Sequence, residues 1–97
     1  MQRFNNPRYA TQGISSTLPL MLQIILWGLI DTKEVDEKDY IQIFKLSAEN
    51  GKQKIVHEQE QPEYRKEHLF PAGDPITAKI FVIDDETHTT MLLAEEY

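Results

Sequence analysis

The chain has 97 residues, 40% of them hydrophobic, and its 16 acidic against 10 basic side chains give a formal net charge of −6. That size and composition describe one globular domain, residues 1–97, with one modest core, and exclude a disordered chain. The lack of cysteine excludes a disulfide scaffold, a thiol nucleophile and a cysteine zinc site, and the negative balance opposes nucleic acid, whose affinity comes largely from Lys and Arg on phosphates.

The residues up to Arg8 read as a loose start. Asn5, Asn6 and Pro7 are turn formers, and there is no apolar run of the signal-peptide kind. With the missing cysteines, this leads to the expectation of a soluble cytoplasmic protein. Tyr9 to Ile14 reads as a short strand closed by Gly13 and Ser15-Ser16. Ser16 or Thr17 then caps a helix over Leu18 to Ile30, LPLMLQIILWGLI, with Pro19 in the first turn, where a missing N–H costs nothing. Such a helix is about 20 Å long, too short for a bilayer core of roughly 30 Å, so no membrane span is expected. It should stop near Asp31-Thr32, with Lys33 well placed at the carboxyl end.

This helix is apolar on two sides. Leu18, Leu22, Ile25 and Leu29 form one stripe, and Leu20, Ile24 and Trp27 form a second, roughly opposite. A surface helix needs only one. Burying each Leu or Ile side chain is worth about 1.5–3 kcal/mol, so the second stripe calls for a cover, from this chain or from a second subunit. Leu20, Ile24 and Trp27 are therefore the candidate interface.

Residues 31–39 are charged and solvated. From Tyr40 the period becomes that of a strand, running to Asn50-Gly51, a type I′ hairpin signal. With those two as the loop, Glu49 pairs with Lys52, Leu46 with Ile55 and Phe44 with His57. The second strand loses its apolar character after Val56 and ends at Pro62, as an edge strand or an exit from the sheet. Residues 63–70 fit a short helix or a strand with Tyr64, His68 and Phe70 on one side, and Pro71 to Pro75 is a loop. Ile76 to Ile83 ends as a continuous apolar run, the pattern of a central strand covered on both faces. After an Asp84-Asp85-Glu86 turn, the β-branched threonines favour a returning strand over a final helix. The fold class is α+β: a mainly antiparallel sheet with one long apolar helix packed on a face.

Candidate chemistry is thin. Asp84, Asp85, Glu86 and His88 offer donors for Mg²⁺, Mn²⁺ or Zn²⁺, and hence for a small metal-dependent hydrolase using Asp84, Asp85 and His88. Their spacing matches no calcium loop and no H-E-x-x-H motif, and a solvated turn is the simpler reading. His57 is a general-base candidate, but alternation points Glu58 and Glu60 to the other face, so a partly buried structural histidine fits better. His68 belongs at the surface or rim. No serine stands in a G-x-S-x-G context and no glycine-rich phosphate loop is present, so no catalytic residue and no cofactor are expected.

Three functional readings follow, in order of preference. The first is a non-enzymatic protein-interaction module or homo-oligomer, and the second is the metal-dependent hydrolase. The third is an acidic regulatory protein that binds a basic partner through its end, where five acids from Asp84 onward meet no Lys or Arg.

The stretches RYATQGI, LPLMLQIILWGLID, DYIQIFKL, QKIVHEQEQPEY and KIFVIDDETHTTMLLAEEY follow in that order over nearly the whole chain. Together they resemble the small Firmicutes and phage-associated proteins grouped as domain of unknown function nine-sixty. The closing stretch is the most specific part. Family members often carry a glycine in the turn after the Asp pair, where this chain has Glu86-Thr87. The resemblance implies a cytosolic bacterial protein of about this size. It implies no activity and assigns no catalytic residue.

Overall fold

Asn50 and Gly51 both take positive φ, 52° and 74°, as a type I′ turn demands. The computed structural model, which describes residues 7–32 and 39–97, thereby joins β2 (Ile41–Glu49) to β3 (Lys52–Gln59). Their register is the one the sequence predicts, with Glu49 opposite Lys52, Leu46 opposite Ile55 and Phe44 opposite His57. The other strands are β1 (Arg8–Ala10), β4 (Tyr64–Pro71), β5 (Ala78–Asp84) and β6 (Thr89–Leu93). Among the described residues six strands make one sheet in the order β1-β6-β5-β2-β3-β4, parallel only where β1 meets β6.

The stretch 63–70 is therefore strand from Tyr64 onward rather than helix, with Tyr64, His68 and Phe70 sharing the face of Gln59, Ile55 and Gln53. Because β4 pairs outside it, β3 is an interior strand and not an edge. The turn around Pro62 ends the strand without taking the chain out of the sheet. The final stretch is a strand, as its threonines predict, closed by a single 3₁₀ turn at Ala94–Glu96.

The helical segment differs from one long helix. It is two helices, α1 (Gln12–Thr17) and α2 (Leu20–Asp31). Proline disfavours helical backbone in the residue before it, and Leu18 is extended at φ −105°, ψ 129°. Pro19 is accordingly the residue before the first turn of α2 rather than part of it. The predicted strand over Tyr9 to Ile14 stops at Ala10, because Thr11 caps α1 by accepting a hydrogen bond from the Ile14 N–H on its Oγ1. Ser16 and Thr17 end α1 instead of capping α2. α2 does stop at Asp31. Of the expected loose start up to Arg8, Arg8 is instead the first residue of β1, and of the charged stretch 31–39, Asp31 is instead the last residue of α2; residues 1–6 and 33–38, with the placement of Lys33, lie outside the described residues.

Both helices cover one face of the sheet. Ile14, Leu18, Leu22, Leu26 and Ile30 pack on Phe44, Leu46, Ile55, Ile80, Val82, Met91 and Leu93. The deepest row on the helices runs every four residues, so Leu26 and Ile30 are buried where Ile25 and Leu29 were expected, and those two lie at the margin. Nor does β5 lie between two layers. Ile80 and Val82 face the helices, whereas Phe81 and Ile83 point to the uncovered face, half-buried by cross-strand neighbours such as Ile43 and Leu92. Among the described residues no helix is long and apolar enough to cross a membrane.

Candidate functional site

Once Leu22, Leu26 and Ile30 face the sheet, the 100° step of the helix turns Ile24 and Gly28 most directly outward, with Met21 and Asp31 beside them and Leu20 and Trp27 on the flank. Leu20 is 70% exposed, Met21 68% and Ile24 54%. Trp27 departs from this pattern. It is half-buried at the edge of the core, and the Arg8 guanidinium lies over its ring at 4.8 Å. The same guanidinium forms a two-pronged ion pair with Asp31, with Nη1 donating to Oδ2 at 3.1 Å and Nη2 to Oδ1. The outward face thus carries three bare apolar side chains and one carboxylate already matched by an arginine. At Gly28 an added Cβ would meet nothing within 4 Å. Beside Met21 a shallow groove continues the apolar surface past Pro19 and Ile25 to Phe70 and Ile76.

The acidic turn does not gather into one site. Asp84 continues the covered face after Val82, is buried, and accepts the Thr89 hydroxyl at 3.3 Å. Asp85 points to solvent. Its Oδ1 accepts from the backbone N–H of His88 and from the N–H and hydroxyl of Thr87, and its Oδ2 lies 3.1 Å from His88 Nε2. Those bonds, the His88 N–H first, hold the Asp85 carboxyl below its ordinary range. The structure thus brings together two of the three proposed ligands, Asp85 and His88. Among the described residues no group of three or more potential ligands is arranged around a common point.

His57 is fully buried and stacks on Phe44 with ring centres 4.4 Å apart. Its Nε2 meets Gln42 Oε1 at 2.7 Å, and an amide oxygen only accepts, so Nε2 carries a proton there. Gln42 Nε2 donates in turn to Gln59 Oε1 at 2.7 Å and to the Asp39 carbonyl at 3.1 Å, and Gln59 Nε2 donates to the Pro62 carbonyl. The histidine is structural, more deeply buried than its sequence suggests. His68 sits half-buried at the rim and stacks on Phe70, and burial, with Lys66 nearby, pushes its pKa down.

Glu96, counted with the acidic end, stays exposed but folds its carboxylate back onto the chain. Its Oε1 accepts the Thr11 hydroxyl at 2.7 Å and the Leu93 N–H at 2.9 Å, which lowers its pKa. Sequence reasoning found Leu20 and Ile24 but missed Met21, whose signal was its position three residues before Ile24. It also missed the part played by Arg8, which no local pattern ties to Asp31.

Sheet, helix layer and surface define a small α+β domain with an exposed apolar helix face. The chain belongs to the family described as Staphylococcal protein of unknown function (DUF960), which matches residues 7–96. It is also similar to a crystal structure of a protein of unknown function from Enterococcus faecalis, with 30% sequence identity and a TM-score of 0.87, covering 100% of this chain and 97% of that one. No curated protein matches the chain.

Proposed function

We propose that this protein is a non-enzymatic interaction module whose contact surface is the outer face of α2, centred on Leu20 and Ile24 with Met21 and Trp27 beside them. One observation carries the reading: three large apolar side chains, more than half exposed, stand together on a single helix face. Leaving each wet forfeits much of the roughly 1.5–3 kcal/mol that burial would yield. The net charge of −6 favours a protein partner over nucleic acid. The acidic turn supports the hydrolase reading less well, since Asp84 is buried against Thr89 away from Asp85 and His88. The acidic-end reading loses support too, since Asp84, Asp85 and Glu96 are already engaged within the chain.

The test is carbene footprinting of the protein in the cells that make it, compared with dilute purified protein. Protection confined to the segment from Leu20 to Trp27 is the expected result. Equal labelling of that segment in both settings would overturn the proposal.

A further inference from the structure

We infer that a second copy of this chain covers the open face of the sheet over β2, β5 and β6, with its strands running opposite to those beneath them. The inference is independent of the reading above and leaves the α2 faces free on the two outer sides of the dimer.

The open face has two unlike halves. Toward β3 and β4 its charges neutralise one another. Lys45 and Arg65 both reach Glu58, at 2.9 and 3.5 Å, and Arg65 also reaches Glu67 at 2.7 Å. Lys54 lies 3.4 Å from both Glu49 and Glu67. That half suits water. Over β6, β5 and β2 the facing side chains are apolar. Leu92, Phe81 and Ile43 make one row across the strands, and Ile83 and Ile41 stand in the next beside Thr90. Tyr9, 57% exposed, extends the second row, and Tyr97, 74% exposed, sets its ring edge-on to Phe81. An antiparallel sheet with one solvated face alternates apolar and polar residues. Here three adjacent strands are apolar on both faces, the pattern of a sheet between two layers, and the described residues supply only one layer.

Charge points to a copy as the other. Along the strands the apolar patch has a cationic end and an anionic end. Lys79 and Lys45 stand directly opposite each other at one end, both exposed, and like charges so placed repel. Lys45 has Glu58, but Lys79 has only the ring of Phe81, 5.5 Å away, and no ion pair among the described residues. The exposed Asp85-Glu86 turn lies at the other end, with Asp85 as far beyond Val82 as Lys79 is before it. A twofold axis between two such sheets, crossing the strands at Val82, sets Lys79 near the partner's acidic turn twice per dimer, and Phe81 near the partner's Ile83. An axis along the strands would set lysines over lysines. The same charges thus select both the copy and its direction. Pleated faces of this kind pack on each other about 10 Å apart.

Light scattering should show a dimer at high micromolar concentration. The absence of cysteine allows one nitroxide per chain, on Ile24→Cys outside the proposed contact. Layers in the order helix, sheet, sheet, helix hold the two labels about 30 Å apart or more in double electron resonance, whereas a dimer through α2 holds them within about 15 Å. Ile43→Lys, beside Glu58, should keep the circular dichroism of the fold and weaken association about a hundredfold. Lys79→Glu and Glu86→Lys, both at exposed positions, should each weaken it about tenfold and together in one chain restore it. Wild type that stays monomeric, or labels within about 15 Å, overturns the second copy on this face. A doubly reversed variant that associates no better than either single one overturns the antiparallel packing.

Discussion

The carboxyl group of Glu96 occupies the space that any side chain at position 13 would need: a Cβ on Gly13 would come within 2.6 Å of its carboxyl carbon and both its oxygens. Glycine there lets the last turn of the chain close over the first helix. Gly13→Ala should push Glu96 away from Thr11 and Leu93 and lower the melting temperature by a few degrees, with the fold retained. Scanning calorimetry checks this, and an unchanged midpoint would show that the contact carries no weight.

The same carboxylate predicts an acid dependence. Hydrogen bonds from Thr11, then from Leu93, lower its folded-state pKa below the ordinary 4.5. A group shifted downward binds its proton more readily in the unfolded chain. Its stabilisation is therefore complete above the ordinary value and disappears as pH falls through the folded one. Glu96→Gln, which keeps the shape but not the charge, should melt below wild type at neutral pH and converge with it in acid. Parallel melting curves across that range would count against this assignment.

Glu86 has φ of 81°, in the left-handed region, at the turn that follows Asp84 and Asp85. That conformation costs a side-chain-bearing residue about 1–2 kcal/mol, partly offset because glycine loses more freedom on folding. Glu86→Gly should stabilise the protein by about 0.5–1 kcal/mol, read from the urea midpoint at constant slope. Loss of stability would mean the Glu86 side chain has a role that outweighs the backbone strain.

Gln42 links His57 to Gln59 inside the sheet. Gln42→Leu keeps the volume but withdraws the acceptor of His57 and the donor to Gln59, both buried. A cost of about 2–4 kcal/mol is expected in equilibrium unfolding. A nearly neutral substitution would show that the glutamine ladder rearranges freely.

That ladder also explains what the sequence concealed. The β2–β3 hairpin was legible because turn chemistry and alternation are local, and both point to one register. The interior position of β3 was not, because Gln53, His57 and Gln59 are buried polar residues. Gln53, for instance, exchanges hydrogen bonds with both backbone groups of Ile76, so its burial leaves no hydrophobic mark. The division between α1 and α2 was written in Leu18-Pro19 but masked by apolar residues on either side. Of the candidate site, Leu20 and Ile24 follow from helical spacing alone. The pairing of Arg8 with Asp31 needed the fold.

The parallel seam of β1 against β6 joins stretches about eighty residues apart. While the ribosome is still extending the chain, Arg8 to Ala10 has no seat, and the flank of β5 reserved for β6 stays open. The sheet is therefore finished late, and until then the nascent protein shows neighbours a bare strand margin that the mature one conceals.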